Sequence, residues 1–226
     1  MSDTNNILSL RGISHQYSVG GRQIEVLLDV DLDVADGEIV EIQGQSGSGK
    51  TTLLLAGGGM QKPTAGQVSV GGQDLFRMTT SNRIAYRSRN IGYLFQTLQL
   101  LPYLTVFQNL ILGPGVLSRE AKSLLEQFGL SERMHHKPGS LSHGQRQRTA
   151  LIRAMVHQPK LIIADEPTGN LDEENARIVF QALRRFADAG NAVLIASHDP
   201  ILSDFSDRRY QLEEKKLLKE GSGPGI

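Results

Sequence analysis

Lys50 and Thr51 close the run Gly44-Gln45-Ser46-Gly47-Ser48-Gly49-Lys50-Thr51. The run fits G-x-x-x-x-G-K-[ST], the pattern of a loop that wraps a nucleoside triphosphate. Each residue type has a part in that chemistry. The glycines let backbone N–H groups close on an anion where a Cβ would clash. Lys50 can reach the β- and γ-phosphates, and the Thr51 hydroxyl can ligate Mg²⁺. Thr52 follows on the same turn and is counted among the binding residues. Glu38 to Ile42 ahead of the loop reads as a strand, and Thr51 to Ala56 behind it as the start of an apolar helix. That order aims several N–H groups at one phosphate from a helix N-terminus.

A second cluster is Leu161-Ile162-Ile163-Ala164-Asp165-Glu166, four apolar residues and then two carboxylates. In a parallel sheet the strand C-termini face the ligand crevice. Asp165 would then stand near the Mg²⁺ held by Thr51, and Glu166 could polarise a water for attack on the γ-phosphorus. By itself the pattern is a strand ending in solvated acids; beside a phosphate loop the catalytic reading prevails. His198 ends another apolar run, Ala192 to Ser197, and could donate to the γ-phosphate, although a lone histidine at a strand end is more often solvated or capping. Gln96, after Gly92 to Phe95, is open in the same way: a neutral amide suits a metal ligand or a water-orienting group.

The elements that must position these groups are legible in outline. The chain has 226 residues, 39% of them hydrophobic, enough for one sizeable domain with a subdomain. The first 35 residues alternate apolar and polar around Gly20-Gly21, which predicts antiparallel strands joined by a turn. Gly57-Gly58-Gly59 predicts a stop to the first helix. Gln67 to Val70 predicts a strand, Arg77 to Arg89 a polar, basic helix, and Ile91 to Phe95 a buried strand. From Thr97 to about Gln158 the period becomes helical, as in Val106-Phe107-Leu110-Ile111 and Ala121-Leu124-Leu125-Phe128. Strands return at Lys160–Ala164, Ala192–Ala196 and Arg209–Leu212, with a helix over Glu173–Ala187, and such alternation implies a parallel sheet. The expected fold is therefore α/β: a phosphate-loop core with a mostly parallel sheet, an N-terminal antiparallel β-subdomain and an inserted helical subdomain over about 97–158.

Bulk properties exclude several classes. Lys+Arg and Asp+Glu are both 24, which argues against a dedicated nucleic-acid binder. There is no cysteine, so disulfides and thiolate metal sites are excluded. The polar start, Met1 to Asn6, has no secretion-signal pattern, and no window approaches the length of a membrane span. A soluble intracellular protein is expected, free to dock on a membrane partner. The end, Gly221 to Ile226, reads as a loose tail.

Together these features resemble the ATP-binding-cassette (ABC) ATPases over nearly the whole chain. The discriminating element is Leu141-Ser142-His143-Gly144-Gln145, which resembles the family signature L-S-G-G-Q and falls in the right order between Gln96 and Asp165. Gly169-Asn170-Leu171-Asp172 resembles the family's D-loop. Tyr17, which spacing alone makes a surface residue of a hairpin, stands where the family stacks an aromatic on adenine. The resemblance implies an ATP hydrolase with Mg²⁺ held by Thr51, Gln96 and Asp165. It implies two copies of the chain sandwiching each ATP. One gives the phosphate loop, Gln96, Asp165, Glu166 and His198; the other gives Ser142, Gly144 and Gln145, with Asp172 at the seam. One departure is His143 in place of the first signature glycine, where a side chain would crowd the seam or add a donor near the γ-phosphate. A second is the triple glycine, which could loosen the end of the first helix.

Asp165-Glu166-Pro167-Thr168-Gly169-Asn170-Leu171-Asp172 and Leu101 to Asn109 resemble the bacterial branch of lipoprotein-releasing, macrolide-exporting and cell-division ATPases. That implies an integral membrane permease as partner, and a location on the cytoplasmic side of the bacterial inner membrane. Leu98, Leu100, Leu101 and Tyr103 read equally well as permease contacts or as subdomain core. Two other classes are a cassette ATPase acting on nucleic acid or ribosomes, and a regulatory module with little turnover, such as one signalling across the membrane in cell division.

Overall fold

The computed structural model describes residues 5–113, 115–169 and 171–219. Met1 to Thr4, Asn170 of the expected D-loop and the expected tail Gly221 to Ile226 lie outside the described residues.

The alternating start forms β1 (Asn6–Val19) and β2 (Arg22–Ala35), paired antiparallel from Val19↔Arg22 back to Asn6↔Ala35. The turn falls on Gly20-Gly21, both at positive φ, as expected from the sequence. The chain then enters β3 (Ile39–Gln43), runs through the phosphate loop into α1 (Lys50–Gly57), and returns as β4 (Ala65–Val70) and β5 (Gln73–Asp74). Four of these strands make an antiparallel sheet in the order β2-β1-β4-β5.

Next come α2 (Thr80–Asn90), β6 (Ile91–Leu94), α3 (Val106–Leu110), α4 (Ser118–Gln127) and α5 (His143–Met155). The chain continues through β7 (Leu161–Asp165), α6 (Glu173–Asp188), β8 (Ala192–Ala196), β9 (Arg208–Glu213) and β10 (Lys216–Lys219). The second sheet has six strands in the order β10-β9-β3-β8-β7-β6, parallel except where β10 folds back on β9. The fold is the expected α/β arrangement.

Burial explains the patterns. β8 is buried at every residue, so it reads as a continuous apolar run instead of alternating. α1 lies between the sheets, with Leu53 and Leu54 in one cluster with Leu8, Leu10, Ile42 and Leu194. α6 covers the opposite face of the parallel sheet, burying Val179, Phe180 and Leu183 against Ile162, Val193 and Ile195. α3, α4 and α5 share a third cluster that includes Val106, Leu110, Leu125 and Ile152. One charge interrupts the central strand. Glu41 is fully buried and is answered by Arg209 Nε at 3.1 Å and Ser206 Oγ at 2.9 Å, as a buried carboxylate requires.

The triple glycine does not loosen α1. Tyr93 Oη passes over Gly58 and donates to the Leu54 carbonyl at 3.1 Å, and a Cβ on Gly58 would lie 1.4 Å from that oxygen. The missing side chain is what lets β6 lock the helix end. Leu98 and Leu100 pack against the α6 side of the core, whereas Tyr103 is exposed.

Candidate nucleotide site

The parallel strands β3, β6, β7 and β8 deliver their C-terminal ends to one edge, so the phosphate loop, Gln96, Asp165, Glu166 and His198 converge there. They line a cavity of about 590 Å³ with Tyr17, Val26, Ser46, Gly47, Gly49, Thr52 and Gly169. Gly44, Gln45 and Ser48 complete the loop behind it.

Two glycines set the shape of the loop. Gly49 sits at φ 108° with Val26 so near that a Cβ would meet its side chain at 2.9 Å, and a Cβ on Gly44 would fall 2.6 Å from the Leu212 carbonyl. Gly49 is the N-cap of α1 and offers no side chain to the helix's first N–H groups. Those donors are left for a ligand. By contrast, Thr79, Thr105, Ser142 and Asp172 cap α2, α3, α5 and α6 with their own side chains.

Lys50 is buried at 8% exposure, and its ammonium donates to the carbonyls of Gly44 at 2.5 Å and Gln45 at 3.0 Å. Burial lowers its pKa, while the charges of Glu166 and Asp165 pull the other way. Its Nζ also lies 3.3 Å from His198 Nε2. Glu166 Oε1 approaches the same nitrogen at 3.5 Å, and Glu166 Oε2 accepts from the His198 backbone N–H at 3.3 Å. Thr51 Oγ1 donates to Asp165 Oδ2 at 2.8 Å.

Glu166 has φ 47°, a region that side chains rarely occupy. Its own N–H donates to the Ala196 carbonyl of β8, which turns the carboxylate back toward the cavity. The loop behind it is fixed by residues that received no role of their own from the sequence motifs. Thr168 Oγ1 donates to Asp199 Oδ2 at 2.7 Å, and the buried Gln147 donates to the Pro167 carbonyl. Nothing in local spacing marks these residues; they meet only through tertiary contacts.

Tyr17 stands at the cavity mouth, 37% exposed. Its hydroxyl is held by Thr52 Oγ1 at 3.2 Å and by Gln61 at 2.8 Å, and its ring meets His15 edge-on at 4.7 Å. The residue is thus both hairpin surface and cavity wall. Ser142, Gly144, Gln145 and Asp172 do not line the cavity of their own chain. Ser142 and Gln145 form a reciprocal capping box on α5. That uses a lone pair of Ser142 Oγ and leaves its proton free to donate. Asp172 accepts from Asn175, whose backbone N–H holds its carboxyl below the usual range. His143 turns its ring onto its own chain, with Nε2 at 3.1 Å from the Gly169 carbonyl.

A glycine-rich loop at a helix start, faced by two strand-end carboxylates, defines a phosphate-loop nucleoside triphosphatase. Comparison with known proteins resolves the class further. The family model described as "ABC transporter" matches residues 27–169. The lipoprotein-releasing system ATP-binding protein LolD of Shewanella oneidensis is 39% identical over 219 residues, covering 93% of this chain and 95% of that protein. LolD 1 of Rhodospirillum rubrum is 41% identical over 219 residues, with 93% and 97% covered. A dimeric structure of the ATP-binding cassette MJ0796 in a post-hydrolysis state bound to ADP and Pi superposes with TM-score 0.89 at 31% identity. The match covers 97% of this chain and all of that one. The chain belongs to the ABC transporter family and is an ABC-type ATPase, an ATP-binding and ATP-hydrolysing transporter subunit.

Proposed function

We propose that this ATPase powers export or extraction of a lipoprotein, or of a similar lipid, peptide or drug cargo, through a separate membrane permease, from the cytoplasmic face of a bacterial inner membrane. The likeness to proteins named for lipoprotein release, at about two-fifths identity along nearly the full length, supports the cargo class. Among the described residues no helix is long and apolar enough to cross a membrane. Residues 97–158 serve as the helical arm, and no nucleic acid is a partner.

The observation that carries the reading is the convergence of Lys50, Asp165, Glu166 and His198 on one cavity beside the uncapped α1. The loop N–H groups from Gly44 to Thr52 cradle the phosphates, and Tyr17 stacks on the base. Lys50 neutralises charge that develops on the γ-phosphate. Glu166 takes the proton of the attacking water, and His198 orients the phosphoryl oxygens. Thr51, Gln96 and Asp165 suit Mg²⁺: they are hard oxygen donors on one cavity wall. Magnesium at a nucleotide keeps several waters and needs only one or two protein groups. When bound it supplies charge neutralisation on the phosphates.

The second half of each site comes from a second copy, through Ser142, Gly144, Gln145 and Asp172. The permease docks at a groove of about 450 Å³ lined by Ile84, Arg87, Tyr93, Phe95, Arg153 and His157. Arg87 Nε is buried there without an acceptor among the described residues, and no Asp or Glu occurs between Asp74 and Glu120. An acidic permease segment fits that groove. The test is Glu166→Gln with ATP on size-exclusion chromatography. The dimer should accumulate, because closure continues while hydrolysis stops; a profile that stays monomeric at saturating ATP would sink the two-copy site.

A further inference from the structure

The loop that carries Glu166 is gripped from the signature helix of the same chain. A carbonyl oxygen only accepts, so His143 carries its proton on Nε2 and donates to Gly169 across 3.1 Å. One turn further on, Gln147 donates to Pro167. Gly144 fits so closely against α6 that a Cβ would meet Asn175 Oδ1 at 2.9 Å, and the amide of Asn175 donates to both oxygens of Asp172. The Gly169 N–H returns to the Glu166 carbonyl at 3.2 Å. The start of α5 and the described part of 166–175 are therefore one framed unit. Gln147 and Asn175 sit at its back, but Gly169 borders the nucleotide cavity itself. The His143 bond is thus the link made to a cavity-lining residue. A glycine at position 143 would have no side chain to make it.

We propose that His143 is a positioning residue. Its hydrogen bond to Gly169 clasps the signature helix to the Glu166 loop of its own chain. Contacts that Ser142 and Gly144 make at the partner copy's ATP are thereby transmitted to the carboxylate that works on the chain's own ATP. The inference rests on the two-copy reading above. It also gives the side chain at the signature's departure from glycine a contact, because the ring turns onto its own chain.

The experiment measures steady-state ATP turnover of the full chain with His143→Leu and His143→Gln. Leucine fills the space without a donor, whereas the glutamine amide can reach the same carbonyl. His143→Leu should lower kcat about three- to tenfold, the scale of one hydrogen bond's net worth, and leave KM for ATP within about twofold. Its Hill coefficient for ATP should fall toward one. His143→Gln should recover kcat to within about twofold of the parent. Parental kcat in His143→Leu, or an equal loss in both variants with matched thermal melts, overturns the clasp. A parent chain that does not hydrolyse ATP or dimerise with it would instead remove the two-copy reading, so the two failures are distinct.

Discussion

Lys50 shows how much a single residue can decide. Among the described residues it is the one lysine or arginine that lines the cavity, and burial has already stripped it of most of its water. Lys50→Ala should therefore reduce ATP turnover by at least about a hundredfold, the usual scale for losing a charged transition-state contact. A phosphate-release assay that finds near-parental rates would show that another group neutralises the γ-phosphate. Loop chemistry confines residues of this kind to fixed spacings, so Gly44 to Thr52 could be read from local pattern alone, whereas Asp165 and Glu166 took their reading from the phosphate loop beside them. His198 and Gln96 stood at strand ends where several readings were open, and it is the parallel sheet that brings both to the cavity. Thr168, Asp199 and Gln147 carry no such mark, because each acts through a partner distant in sequence.

Among the elements, the end of α1 gives the sharpest contrast. Gly57 and Gly58 are neighbours, and helix propensity favours Ala over Gly at both by under about 1 kcal/mol. At Gly57 an added Cβ would meet only ordinary contacts, the nearest at 3.7 Å, so Gly57→Ala should be neutral or stabilising by about 0.5 kcal/mol. At Gly58 it would displace Tyr93, whose phenol is pushed up in pKa by burial and whose hydroxyl bond to Leu54 closes the helix. Overpacking then outweighs propensity, and Gly58→Ala should destabilise by about 2 kcal/mol. Denaturant melts of the two variants test the opposite signs. The element the sequence hid is β10. Its turn residues Glu214 and Lys215 both have positive φ, which a two-residue hairpin requires and which Asn or Gly normally supply. The charged run Glu213-Glu214-Lys215-Lys216 gave no hint of it.

For the whole molecule, proton uptake at two histidines bears on stability. Burial holds His15, on the antiparallel sheet, and His157, just past α5, below the ordinary imidazole value of 6.5; for His157 Glu120 pulls the other way. As pH falls, the unfolded chain binds protons at these positions before the folded chain does. Stability from this source is whole above pH 6.5 and drains away below it. Melting temperatures taken from about pH 7.5 down to about 5 should fall less steeply in a His15→Gln, His157→Gln double variant than in the parent. Identical slopes would place the acid sensitivity elsewhere. The same scale exposes an asymmetry that zero net charge conceals. Between Asp74 and Glu120 the only charged residues are Arg77, Arg83, Arg87, Arg89 and Arg119, so the remainder of the chain holds a matching surplus of acids. Of these arginines, Arg87 lines the groove together with Arg153. An anionic partner surface would be drawn to that basic stretch before any contact forms, and dissolved salt would weaken the pull.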